Sequence, residues 1–383
     1  MKAKWVLVFV TLLLMIIAII FFKNSKESEL KVSPLIGYNF ITCTPANFML
    51  KGVDTTKQIA PVFDNLGTHN FKISTINKEA QTFFDQGLKL AYAFNHAESH
   101  RSFMEAARKD PDAAMAFWGQ AYVLGPNIND PFPDNERKKA AYTAIQHALK
   151  KMAISTPKEQ DLIKALSKRY DENVAMDSAI LNLSYMKAMQ SVKDKYPEDP
   201  EVLVLYADAV MNTMPWNYWD NSGNPSPNTL EAKHAIEEAI KLDPNHPGAH
   251  HLYIHLVELP KPELAISSAD KLGKLMPGAG HIVHMPSHIY IRVGRYMDAV
   301  KANQDAILAD EDYISQCFSQ GMYPLGYYPH NIHFLWTASS LLGDSKTAID
   351  AAKKTAEKVP IGELQELPFL QDFASTPLLA YVR

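Results

Sequence analysis

Cysteine is nearly missing from this chain. Cys43 and Cys317 are the only two in 383 residues, too few for a disulfide framework, and no CxxC pair suggests a cysteine-bound zinc or a thioredoxin-like redox centre. Glycine is sparse at 16, which favours helices over glycine-punctuated sheets. No charge predominates: Lys+Arg 38 against Asp+Glu 42 gives a formal net charge of -4. A basic stripe for a phosphate backbone is therefore lacking, and nucleic acid is excluded as a partner. There is no HExxH, so the helical zinc-protease arrangement is absent. Neither a phosphate-binding glycine loop nor a GxSxG elbow is present.

One long apolar run does exist. Residues 5–22, broken only by Thr11, lie between Lys2 and Lys4 on one side and Lys23 and Lys26 on the other. The run approaches the ~20 residues a spanning helix needs, and no small-x-small cleavage site follows it. It is expected to be an uncleaved transmembrane signal anchor, with residues 1–4 as a cytoplasmic tip. Flanking lysines orient it only weakly, and the expected location is an inner or plasma membrane, single-pass, with the bulk extracytoplasmic (periplasmic). Residues 23–75 mix Pro, Gly, Asn, Thr and Lys without a period and read as a linker and extended lead-in. Cys43 lies too far from the apolar run to be a lipid-modified cysteine.

From residue 76 to 383 apolar residues recur three and four apart, and Pro or Gly stops each segment, as in EAQTFFDQGLKLAYAF and LEAKHAIEEAIKLDP. These are short amphipathic helices in series. Pro244, Pro277 and Asp310 each close such a segment at a step of 33 residues, which predicts repeats. The stretches 126–135 and 215–228 interrupt the period and read as long loops over a groove. The last segment, STPLLAYVR, is an apolar helical start without a stop signal, so the natural chain is expected to continue beyond it.

Two helices per step with small residues at the crossing and Pro at the end resemble the tetratricopeptide repeat. The resemblance is carried by WGQAY (118–122), SFMEAARKDP (102–111), GRYMDAV (294–300) and GDSKTAI (343–349). Ankyrin's TPLH signature is absent. With FNHAESHRSF, HPGAHHLYIHLVE, HIVHMPSHIYIRVGRY and YPHNIHFLW, the chain from about Leu66 onward looks like a family of bacterial tetratricopeptide-repeat proteins of unassigned function. The resemblance implies an all-α, right-handed helical-hairpin solenoid with a concave binding face, but no reaction.

The 14 histidines cluster late in the chain. Counted back from Gly294 and Gly343, His281 and His330 occupy one slot, and His284 and His333 another. His251 and His284 are 33 residues apart, as are His255 and His288. These slots correspond to groove positions in tetratricopeptide repeats, and Arg292 continues the His288 face. A second register selects His250 instead of His251, and the sequence leaves that choice open. Either way Glu258 lies one turn beyond the pair. Imidazoles from neighbouring helices ~8–10 Å apart can meet at one ion, and the donor set suits a transition metal such as zinc, copper or iron.

His96 and His100, another i,i+4 pair, join only if the solenoid curls, and His69 could reach in from the lead-in. His147, His234 and His246 read as surface residues. Trp216, Tyr218 and Trp219 could stack on a ligand. Asp85, Glu98 and Asp208 are candidate acids, each more often a helix-surface carboxylate. Against the metal stands an ordinary reading: Trp118 and Tyr122 share the offsets of His251 and His255 from their prolines, so these slots can be packing positions.

Three functions compete. The first is a binder whose groove holds a metal and, through it, a peptide or small ligand. The second is a metal-dependent enzyme with an open coordination position, and the third a metal-free protein-interaction scaffold. Spacing does not separate binder from enzyme.

Overall fold

A computed structural model describes residues 56–316, 323–365 and 367–382. The expected cytoplasmic tip, the apolar run 5–22, residues 23–55 and both cysteines lie outside these residues. Among the described residues no helix is long and apolar enough to cross a membrane.

The described backbone is helical, with only isolated bridges of sheet type, Asn127 with Asp130 and Trp219 with Pro225. In order the helices are α1 (Lys78–Tyr92), α2 (His96–Lys109), α3 (Ala114–Leu124), α4 (Asn135–Lys151), α5 (Pro157–Leu166), α6 (Ser178–Lys195), α7 (Pro200–Met211) and α8 (Thr229–Leu242). There follow α9 (Pro247–Val257), α10 (Ile266–Leu275), α11 (Gly280–His284), α12 (Pro286–Tyr290), α13 (Tyr296–Gln316), α14 (Tyr328–Leu342), α15 (Ser345–Glu357) and α16 (Leu370–Ala380). Caps in the sequence set the starts. Asn77 accepts from the N–H groups of Glu79 and Ala80 ahead of α1, and Asp134, Asp199 and Asp344 cap α4, α7 and α15. Thr156 and Glu159 form a full capping box at α5, behind Pro157.

Successive helices pack as hairpins from α1 with α2 to α14 with α15, and α16 lies against the last pair. First helices of neighbouring hairpins also touch, and α9 returns against α1. The row therefore curls on itself. His251 Nδ1 lies 2.6 Å from the Tyr92 carbonyl, 159 residues away, and the Tyr313 hydroxyl reaches Glu98 at 3.3 Å.

Three turns share one geometry. Behind α1, α12 and α14 a residue with left-handed φ is followed by an N–H that bonds five residues back: Asn95 to Leu90 (3.0 Å), Arg295 to Tyr290 (2.8 Å) and Asp344 to Ser339 (3.0 Å). The left-handed residue is Gly294 (φ 79°) or Gly343 (φ 83°) in two of them, as expected where a Cβ is unwelcome. In the first it is Phe94 (φ 54°).

Two expectations need correction. Asp310 does not end a helix: its buried carboxylate accepts from the Tyr323 hydroxyl and Asn331 Nδ2, both at 2.7 Å, and α13 runs on to Gln316. The 33-residue step thus matches one helix interval, between the starts of α9 and α11, and not the next. Gly280 is needed in that interval, since a Cβ there would sit 1.9 Å from Asp310 Oδ1. The described part of the lead-in, from residue 56, is also more than a linker. It is strapped to the helices through its N–H groups, Phe63 to Gln86 (2.9 Å), Phe71 to Asp85 (3.0 Å) and Ser74 to Glu159 (2.6 Å), and the Asn65 carbonyl accepts from Gly278 N–H (2.7 Å).

Candidate metal centre

Pro247 starts α9, and four residues of spacing put His251 and His255 on its inner face. His250, one residue away, is turned by about 100° and bonds Ser268 Oγ (2.9 Å) and the Pro244 carbonyl (3.0 Å) instead. His251 is therefore the residue that faces inward. α11 and α12 supply His281, His284 and His288, and α14 supplies His330. The six rings form one array. Centroids are 4.9 Å apart for His251–His255, 5.0 Å for His251–His281, 5.8 Å for His281–His284, 4.8 Å for His284–His288, 4.8 Å for His284–His330 and 5.6 Å for His255–His288.

Among the described residues, three groups bring ligand atoms within 4.8 Å of one another: His251, His255 and His281; His284, His288 and His330; and His69, Glu201 and His246. Tetrahedral zinc bonds of ~2.0–2.1 Å put nitrogens about 3.3 Å apart, so small ring rotations would close any of them on an ion. Proximity does not distinguish the groups. Hydrogen bonding does.

In the first group His251 Nδ1 faces the Tyr92 carbonyl, and His255 Nδ1 faces Glu258 Oε1 at 3.0 Å. Both partners are acceptors, so each Nδ1 carries the proton and each Nε2 keeps its lone pair. Nε2 of His251, Nε2 of His255 and both ring nitrogens of His281 are buried without a hydrogen-bond partner. An unmet buried polar atom costs roughly 1–3 kcal/mol, and four on three neighbouring rings call for a cation or a donor between them.

The second group repeats the device. His284 Nδ1 faces Asn303 Oδ1 at 2.7 Å, and Asn303 Nδ2 donates to the Ala299 carbonyl at 2.7 Å, which fixes the amide's orientation. His288 Nδ1 faces Glu258 Oε2 at 2.7 Å. The two Nε2 atoms then meet at 2.9 Å with lone pairs opposed. A shared proton or a metal ion between them would relieve that contact. One carboxylate, Glu258, thus orients a ligand in each group, the arrangement that outer partners give to metal-bound imidazoles.

Electrostatics agree with neutral rings. Burial first, and neighbouring rings second, push His251, His281 and His284 well below the ordinary histidine range, and His330 to about 3. Burial acts to raise Glu258, but the facing His288 and His255 imidazoles, each turned to the carboxylate through Nδ1, overcome it and hold the carboxyl far below its usual range.

The third group is different. His246, expected at the surface, is fully buried, and its Nδ1 accepts from Ala249 N–H (3.3 Å) as the cap of α9. Its lone pair is used there, and Nε2–H points to Glu201 at 3.3 Å. Glu201 also takes His69 Nε2 (3.1 Å) and the Tyr92 hydroxyl. Burial acts to lower His69, but the hydrogen bond and charge of Glu201 raise it on balance. This is a hydrogen-bonded clasp between lead-in, α1, α7 and α9, and it offers no converging lone pairs.

Beside the six-ring array lies a cavity of about 520 Å³, reached by His255, His281, His288 and His330. His96 lines it too, its Nδ1 3.3 Å from Asn127 Nδ2, because the curl of the helices carries α2 to the array. Burial, with Arg137 second, lowers His96 to about 3 and His100 to about 4. Neither belongs to a converging group, and His100 does not reach the cavity.

Three other expected groove residues point elsewhere. Arg292 is exposed and off the cavity wall. His333 shares a slot with His284 yet packs on Trp336 (4.9 Å) and Phe373 (5.4 Å) of α16, which covers that face of α14. Trp219 turns inward to donate Nε1–H to the Leu256 carbonyl (2.7 Å). Trp216 does line the cavity, edge-on to His255 at 5.1 Å, and the loops expected over the groove border it through Asn127, Asp130, Phe132 and Trp216. The carboxylates Asp85 and Asp208 serve the lead-in and Tyr122.

Sequence reading missed Phe94. Its ring lies 4.4 Å from His251, 6.0 Å from His255 and 5.7 Å from His281. With Trp216 (φ 61°), it is one of three described non-glycine residues in the left-handed region, a conformation that costs a bulky side chain about 1–2 kcal/mol. Both strained aromatics touch the histidines, where such strain is characteristically stored. The available signal was FN at 94–95, occupying the place that Gly-Arg and Gly-Asp fill at 294–295 and 343–344.

No protein-family model matches this chain, and no curated protein matches it. Solved structures similar to it include the APC/C hetero-tetramer Cut9–Hcn1, 12% identical with a TM-score of 0.26, covering 82% of this chain and 72% of that one. Another is the TPR domain of P58(IPK), 16% identical with a TM-score of 0.21, covering 79% of this chain and 88% of that one. Scores this low carry no argument, and the architecture stands on the packing of the hairpins themselves.

Proposed function

We propose that this chain is a tetratricopeptide-type helical protein that binds transition-metal ions through two three-histidine positions, His251, His255 and His281, and His284, His288 and His330, facing a cavity for a small ligand. The observation that carries the reading is the direction of the lone pairs. Partners fix the proton on Nδ1 of His251, His255, His284 and His288, which leaves Nε2 as the lone-pair atom: those of His284 and His288 face each other at 2.9 Å, and those of His251 and His255 are buried without a partner. All-imidazole donors favour zinc, copper, iron or nickel.

Three ligands per ion would leave coordination positions unfilled, and His255, His281, His288 and His330 line the cavity, so a bound metal could capture a ligand there. The same openness supports a second reading, a metal-dependent enzyme activating bound water or substrate, and turnover of a ligand that binds would select it. Anchorage by residues 5–22 with the bulk extracytoplasmic belongs to the proposal, rests on sequence alone, and is tested by reporter fusions after residue 30 and at the C-terminus.

The central test is elemental analysis of purified full-length chain. Up to two equivalents of a transition metal per chain are expected, falling by about one in His251→Ala/His281→Ala and by the other in His284→Ala/His288→Ala. A folded protein that takes up no metal under titration would leave a protein-interaction scaffold as the function.

A further inference from the structure

The charge of the proposed centre says what its ligand must be. Six neutral rings contribute nothing against two divalent ions, and of the carboxylates behind them Glu258 already takes hydrogen bonds from His255 and His288, while Asp310, raised to about 7 by burial, takes them from Tyr323 and Asn331. At the mouth Arg137 and Asp130 cancel as an ion pair (2.5 Å), and Asp134 is exposed and spent on capping α4. The inner end of the cavity therefore keeps a net positive charge in a setting where burial strengthens its field.

The walls ask for something apolar. Phe132, Trp216 and Phe369 stand 84%, 44% and 43% exposed at the cavity, with Tyr327 and Phe373 further in. Large aromatic side chains left to solvent around a concavity mark a binding surface. Donors that could serve a multiply charged phosphate are few. Asn127 Oδ1 accepts from the N–H groups of Asn129 and Asp130, while its Nδ2 is turned to His96. A cation is excluded by the ions themselves.

Resting on the metal reading above, we infer that the cavity takes a small organic monocarboxylate with an aromatic or apolar body, its carboxylate on the open metal positions and its body among Phe132, Trp216, Tyr327, Phe369 and Phe373. A cavity of about 520 Å³ falls in the range of sites for drug-sized molecules, so an aromatic acid fits within it.

The test uses full-length chain loaded with Co(II), whose visible spectrum reports a new ligand on the metal. Phenylacetate is titrated against its neutral isostere phenylacetamide and against acetate, which has the head without the body. Phenylacetate should change the Co(II) bands and bind at least about tenfold tighter than either control, a gap of about 1.4 kcal/mol. In Phe132→Ala/Phe369→Ala that advantage over acetate should shrink several-fold with cobalt content unchanged. If cobalt does not bind, the metal reading fails. If cobalt binds but phenylacetamide binds equally well, or metal-free protein takes phenylacetate equally well, the carboxylate inference is overturned and the metal reading stands.

Discussion

Two buried histidine clusters sit a few residues apart in this protein, and they are built to opposite ends. In the clasp, Glu201 is the centre: His69 and Tyr92 bond to it and His246 Nε2 lies 3.3 Å away. In the array, acceptors lie on the outside, Tyr92 carbonyl, Glu258 and Asn303, and the rings turn their lone pairs inward. Equal proximity hides this contrast. The location of the protons exposes it, and a cation is welcome only where lone pairs meet.

Substitution should separate the two most sharply. Glu201→Gln removes the charge that His69 and His246 share, and breaking a buried pair costs about 3 kcal/mol or more. We expect that loss in urea unfolding, with metal content unchanged. His255→Ala/His281→Ala should do the reverse, removing about one equivalent of metal by elemental analysis. A clasp variant that loses metal while remaining folded would erase the distinction.

Metal should stabilise the wild type next. At a free ion concentration a hundred times the dissociation constant, binding to the native state alone adds about 2.7 kcal/mol. Calorimetry of the metal-free chain with and without Zn(II) is expected to show the gain. It should shrink in His284→Ala/His288→Ala and persist in His69→Gln.

The pH dependence of the metal-free protein should carry opposite signs for the two clusters. Burial depresses His251, His281 and His330 below 6.5 in the folded state. Their contribution is present above pH 6.5 and is lost as pH falls below it, for His330 down to about 3, because the unfolded chain binds protons first. His69 is raised, so its contribution is full below pH 6.5 and is lost as pH rises through its folded value. Denaturation midpoints from pH 4 to 9 should fall on the acid side in wild type and in His69→Gln. The loss on the alkaline side should flatten in His69→Gln alone.

Part of this was legible in the sequence. Steps of four on a helix and 33 between α9 and α11 pointed to His255, His284 and His288 and narrowed a fourth to His250 or His251, because those residues lie where local helix geometry and one repeat interval decide the direction of a side chain. The clasp was not legible. His246 looks like a solvent residue at a helix start until the lead-in folds back and buries it, and Tyr92 is 159 residues from the ring it orients. His333 failed for a related reason, since only tertiary packing places α16 over that turn of α14. Protons are harder still: whether a histidine is a ligand or a donor depends on the partner of its other nitrogen, and Asn303, Glu258 and the Tyr92 carbonyl come from three different elements.

The smallest effect tests why the array has an aromatic lid at all. Gly343 and Phe94 hold the same position in equivalent turns, one with φ 83° and nothing within 4 Å of an added Cβ, the other with φ 54° and a buried ring against three histidines. Truncating a buried Phe to Ala costs about 3–5 kcal/mol, most of it lost packing. Truncating it to Gly loses the same packing and also releases the left-handed strain, worth about 1 kcal/mol. Phe94→Gly should therefore be more stable than Phe94→Ala by about that amount in urea unfolding, the reverse of the order Ala over Gly found in helices. Gly343→Ala should lose a similar amount, since only backbone strain is at stake there. If Phe94→Ala proved the more stable of the pair, the turn would carry no strain, and the case that Phe94 is held against the histidines at a cost would fall with it.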